Sequence, residues 1–208
     1  MFRKSPLWLV HIVLFTLSFF ALWTFRGHDV VSLFLLELCA LYIAITHQRQ
    51  RELVPPLAII IGFKLASLPL WFLLFSEKTI SLYLVSIIGY NLLLASVLIK
   101  FYLHDSLRKL FKVSTPRRKI PQVLAMASLL AFAAGHLGLV LLEVRIYAYD
   151  PTIFEGVPFF YKTYEIASLS IKALLLLAIW SMCLDSYFVD YERYKNYAIT
   201  HDAKASKR

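Results

Sequence analysis

Polar residues interrupt this sequence at long intervals. Apolar blocks occupy 7–25, 30–46, 55–75, 79–103, 122–143 and 164–187, with short polar runs between them. An apolar run of about 18 residues or more is long enough to cross a bilayer as a helix. The block at 30–46 is the shortest of the six. The pattern predicts an all-α, polytopic membrane protein: one bundle of six transmembrane helices over 1–208, with 188–208 as a basic, tyrosine-bearing tail. The links "RGHDV" and "SEK" are short enough to force antiparallel hairpins. Pro55 and Pro56 open the third block, where proline is well tolerated. Pro69 lies inside that block and has no N–H for the carbonyl of Leu65, which predicts a kink one turn beyond Lys64.

Composition agrees. The chain is 60% hydrophobic, against about 45–50% in a soluble domain, and its mean hydropathy is +0.67. The first block follows Arg3 and Lys4 like a signal peptide, but its apolar run is too long and no small-x-small site follows, so it reads as a span.

Charge sets the orientation. The net charge is +9. Lys and Arg concentrate at the N-terminus, in 47–54, in 104–121 and in 188–208, whereas the opposite links hold Arg26, Lys78, Arg145 and Lys162. The positive-inside rule then places both termini in the cytoplasm. The run "STPRRK" is explained by that topology and by anionic lipid, without nucleic acid. A compact chain of this kind fits a bacterial inner membrane.

Two kinds of surface depart from plain spans. Leu107, Leu110 and Phe111 alternate with Arg108, Lys109 and Lys112, the pattern of a short helix lying on lipid headgroups. Tyr187, Tyr191, Tyr194 and Tyr197 share a helical face that continues the sixth span into an aromatic belt. The segment 144–163, rich in Tyr and Phe, reads as a long loop, either a lid or a piece resting on the membrane surface.

Chemistry enters through the polar residues stranded in these blocks. Lys64 stands about 15 Å of helix from either surface, beyond the reach of its own side chain. A charge at that depth costs on the order of 3 kcal/mol or more, so it needs a partner inside the bundle. Glu37 is the candidate partner. Asn91, His136 and Lys172 fall at similar depth, about 10–18 Å below the end opposite the termini, each on a different helix. These five define a candidate polar site. Glu165, Ser168 and Lys172 follow one another at spacings of three and four, so a polar stripe leads down to that lysine. Ala127, Ala131, Ala134 and Gly138 form a small-residue face for close packing on the fifth helix.

Two readings of the five follow. They hold the helices together through mutual bonds, or they line a site for a small anionic or proton-coupled solute. Two lysines against one glutamate leave one positive charge in excess, so either one lysine is deprotonated by desolvation or something anionic completes the set. Cys39 and Cys183 lie inside spans and form no C-x-x-C motif, which excludes a disulfide framework. No H-E-x-x-H, G-x-S-x-G, P-loop or paired-carboxylate pattern is present, so the sequence offers no catalytic or metal site. His11 and His136 sit at unequal depths, which argues against a shared haem, and no other cofactor is expected. The functional expectation is a small carrier or channel-like protein. The alternative is a non-catalytic subunit, sensor or protective factor that contacts another membrane protein or a second copy of itself.

Overall fold

The computed structural model describes the backbone over 7–25, 30–47, 52–76, 80–103, 120–153 and 156–205, and the side chains within these stretches except at 30–31, 69–76, 80 and 188–205. The expected surface helix in 104–119 and the side chains of Tyr191, Tyr194 and Tyr197 lie outside the described residues, as do most of the two tight links.

The described chain is helical, with no strands. We number its helices α1 (Leu7–Thr24), α2 (Val30–Thr46), α3 (Val54–Ser76), α4 (Ile80–Leu103), α5 (Pro121–Tyr149) and α6 (Phe159–Ala205). Four described segments are long and apolar enough to cross a membrane: Leu7–Thr24, Ser81–Leu103, Pro121–Tyr149 and Phe159–Tyr187. They mark the chain as an integral membrane protein. Many of the large apolar side chains on outward faces, among them Phe20, Trp23, Phe132 and Ile166, are exposed, as suits contact with lipid.

Local chemistry explains the helix ends. α3 opens on Pro55 and Pro56, and α5 carries Pro121 in its first turn, where the missing N–H would have had no partner anyway. α3 runs through Pro69 as one helix. Hydroxyls in the spans return to their own helix: Thr16 donates to the Ile12 carbonyl, Ser86 to Leu82, Ser96 to Leu92 and Ser170 to Ile166. Such bonds let Ser and Thr sit in oil without marking a site.

The largest departure from expectation is at the α5–α6 junction. α5 continues through Tyr149 rather than ending at Glu143, and α6 starts at Phe159 rather than Tyr164. Most of the expected long loop is therefore helix, and 150–158 connects the two. Its turn is built by Asp150, whose Oδ1 accepts from the Thr152 N–H at 2.9 Å and the Thr152 hydroxyl at 2.6 Å. Those bonds hold the exposed Asp150 carboxyl below the usual carboxylate range. Gly156, at φ 109°, supplies the left-handed residue of the return.

Each helix packs on the next, most extensively α4 on α5, and α6 returns to pack on α1. The six thus form a ring. We call the end where α1 begins the termini end, and the other the far end. A ring of helices at the usual spacing of about 8–10 Å encloses an axis that small side chains cannot fill. In the termini half it is filled by a core with contributions from every helix. Leu14 and Phe15 meet Ala40 and Ala44, Leu53 and Leu57, Leu94 and Leu98, Met126 and Leu130, and Ile179, Trp180 and Met182. In the far half a smaller cluster around Leu84, Leu137 and Val140 joins α4, α5 and the start of α6.

Candidate functional site

The polar centre begins with an ion pair between neighbouring helices. Lys64 of α3 donates to both carboxylate oxygens of Glu37 on α2, at 2.5 and 2.6 Å. The partners share a bond but not an environment. The Glu37 side chain is 4% exposed, whereas that of Lys64 is 30% exposed. The carboxylate belongs to the wall, and the ammonium reaches it from the open side.

Two further groups support this pair. The Ser67 hydroxyl donates to the Lys64 carbonyl at 2.7 Å, one turn along α3. The Tyr90 hydroxyl, arriving from α4, hydrogen-bonds Ser67 and lies within the field of Glu37. Its ring is fixed edge-on to Phe63, with centroids 6.2 Å apart. Polar groups of α2, α3 and α4 thus gather around Lys64, although Ser67 bonds its backbone carbonyl and not its ammonium. From α6, Lys172 comes within electrostatic range of Lys64.

Lys172 stands at a change in the face of α6. Glu165, Ser168, Lys172, Leu176, Ile179 and Cys183 follow at spacings of three and four and form one stripe. Glu165 and Lys172 are exposed and Ser168 is half-buried, whereas Leu176, Ile179 and Cys183 are buried at 4%, 3% and 0%. Polarity and openness change at the same turn. The buried portion faces the six-helix core. The same face one turn higher is therefore polar and more exposed than the part that meets the core.

The structure sets the other two expected residues apart. The His136 ring meets Phe160 edge-on, with centroids 5.9 Å apart. Phe160 is about 18 Å above Lys172 along α6. His136 thus belongs to the far-end aromatic packing and not to the ion pair. Counting from the far ends of α5 and α6 places His136 and Lys172 level, but the Phe160 contact shows the two helices offset along their axes. Asn91 is half-buried. It follows Tyr90 by one residue, about 100° around the helix, and shares the stripe of Leu84 and Leu98, which belong to the two hydrophobic clusters. Among the described residues, no hydrogen bond joins Asn91 to the pair. On α5 the small-residue face is only partly used: Ala127 and Ala134 are buried, but Ala131 is exposed.

Sequence reasoning missed Ser67 and Tyr90. Ser67, one turn from a lysine that had to face inward, carried a usable signal. It also missed two contacts away from the site. Trp180 donates its indole N–H to the Ser18 hydroxyl at 3.2 Å, Ser18 donates to the Leu14 carbonyl at 2.8 Å, and fully buried His11 lies 5.8 Å from the Trp180 ring. This knot seals α1 to α6 in the termini half. At the far end, buried Glu143 accepts from the Tyr161 N–H at 2.9 Å. A carboxylate thus satisfies an otherwise partnerless donor of the first turn of α6 and sits at the favourable end of its dipole.

Among the described residues, no group of three or more His, Cys, Asp and Glu is placed to hold a metal. Comparison with protein-family models, with curated proteins and with solved structures finds no match to this chain.

Proposed function

We propose that this chain is a small six-span carrier of a bacterial cytoplasmic membrane, and that it takes an anionic solute from the far, extracytoplasmic side. α2 and α3 complete the six spans, and the distribution of Lys and Arg assigns the termini end to the cytoplasm. The observation that carries the reading is the α6 stripe. It changes from polar and open to apolar and buried at Lys172, beside Lys64 and its ion pair. A water-accessible vestibule that ends on two lysines above a sealed core is the arrangement a carrier open to one side requires. Structural glue needs the Lys64–Glu37 bond but not the exposed stripe. In the site we place Glu37, Lys64 and Lys172, with the Tyr90 hydroxyl as a neutral donor; Ser67, Asn91 and His136 belong to the surrounding walls.

The test is uptake of nitrate, methanesulfonate and benzenesulfonate by proteoliposomes holding the full chain. These anions stay ionised at any working pH, so they do not leak across as neutral acids. We expect uptake of at least one, lowered about tenfold or more in Lys172→Met, in keeping with loss of one charged hydrogen bond of about 1.5–3 kcal/mol. Uptake of none by folded protein rules the reading out. The other reading, a subunit that contacts a membrane partner, draws on one feature: α6 continues as helix to Ala205, beyond its spanning portion. Copurification of a stoichiometric partner, lost on deleting 188–208, supports it.

A further inference from the structure

The Glu37 side chain is 4% exposed, and that of its cation Lys64 is 30% exposed. An anion entering beside Lys64 and Lys172 competes with Glu37 for the same ammonium. If it succeeds, Glu37 is left as a carboxylate walled in by α2, α3 and Tyr90. A buried charge without its counter-ion is the least favourable state available, and the group neutralises instead by taking up a proton.

The surroundings of Glu37 leave few other ways to balance that charge. α3 presents Lys64 and the Ser67 hydroxyl. α4 presents the Tyr90 hydroxyl. α1, the other neighbour of α2, carries His11 as the titratable group of its described span, and that ring lies against Trp180 on α6. From α6, Lys172 acts on Lys64. On α2 itself, Cys39 and Tyr42 are exposed on the outer surface.

Resting on the carrier reading, we infer that the solute crosses together with a proton and that Glu37 is where the proton rides. The anion breaks the Lys64–Glu37 bond and pairs with Lys64. Glu37 takes a proton from the vestibule water. On the other side the anion leaves, Lys64 returns to Glu37, and the proton departs. Anion and proton move together, and no net charge crosses.

The experiment uses the same proteoliposomes with a pH-sensitive dye in the lumen and valinomycin with potassium to set the membrane potential. Inward gradients of nitrate, methanesulfonate and benzenesulfonate are imposed in turn. For the wild type, the expected result is acidification of the lumen by a proton per anion, with uptake indifferent to the sign of the potential. Glu37→Gln is expected to abolish the acidification and to make residual anion movement follow the potential. Glu37→Asp is expected to restore acidification. Anion uptake without acidification, driven by the potential, overturns the coupling and leaves the carrier reading standing. Uptake of none of the three anions overturns both. Should Glu37→Gln fail to fold, the wild-type proton-to-anion ratio decides the matter by itself.

Discussion

The two halves of the ring use the same helices for opposite purposes. In the termini half every helix contributes to one hydrophobic core, within which Ser18 satisfies Trp180 and is itself satisfied by Leu14. In the far half, α4, α5 and the start of α6 stay packed around Leu84 and Val140, while the inward face of α6 above Leu176 is uncovered. In oil no hydrophobic force draws helix to helix, so close packing and interhelical bonds decide where they meet. Large side chains such as Trp180 and Met182 fill the axis in one half. In the other, charged groups reach partners on neighbouring helices, as Lys64 reaches Glu37.

The sharpest way to break this contrast is a labelling scan along α6 in a Cys39→Ser background. A membrane-impermeant, polar maleimide is expected to label Ser168→Cys fully and to leave Ile179→Cys and native Cys183 untouched. Equal labelling of all three would erase the distinction between the halves. Next in size is Lys64→Met, which strands the buried Glu37 carboxylate. Breaking a buried pair from one side costs about 3–5 kcal/mol, so thermal unfolding in detergent is expected to move sharply down at neutral pH. Adding Glu37→Gln is expected to recover most of the loss, because both charges are then gone.

Smaller effects sharpen the picture. Ser18→Ala removes the acceptor for a buried indole N–H and is expected to cost about 1–3 kcal/mol, read as lower stability with the far-half labelling pattern unchanged. Glu143→Ala withdraws the cap from α6, a loss of about 1 kcal/mol, visible as faster hydrogen exchange confined to the first turn of that helix. The least effect comes from acidifying the Asp150 turn. Its carboxyl is held below the usual carboxylate range by Thr152. The turn's contribution is therefore complete above that range and is lost only as pH falls through the lowered value. The Thr152 amide resonance is expected to keep its position until then.

Much of the fold was legible because the bilayer permits few solutions: long apolar blocks must be helices, and a lysine in mid-block must find a counter-group. Lys64 and Glu37 could be matched on that ground alone. The α5 and α6 boundaries could not, because Glu143, Arg145 and Lys162 read as surface markers, and Glu143 instead lies buried under the next helix start. Helix ends alone would still set His136 and Lys172 level; the contact of His136 with Phe160 shows that α5 and α6 are offset along their axes, which no count along the sequence reveals. Tyr90 was opaque for another reason. Tyrosine near a span is ordinarily an interface anchor, and nothing local announces that this one reaches across to Ser67.

The length of α6 has a mechanical corollary. From Phe188 to Ala205 the helix extends about 27 Å past its spanning portion. A straight rod of that length is a lever: a tilt of about 10° where α6 leaves the bundle sweeps its tip sideways by about 5 Å. A tilt of α6 that carries Lys172 toward the axis would thus move the opposite extremity of the same helix by a comparable distance the other way.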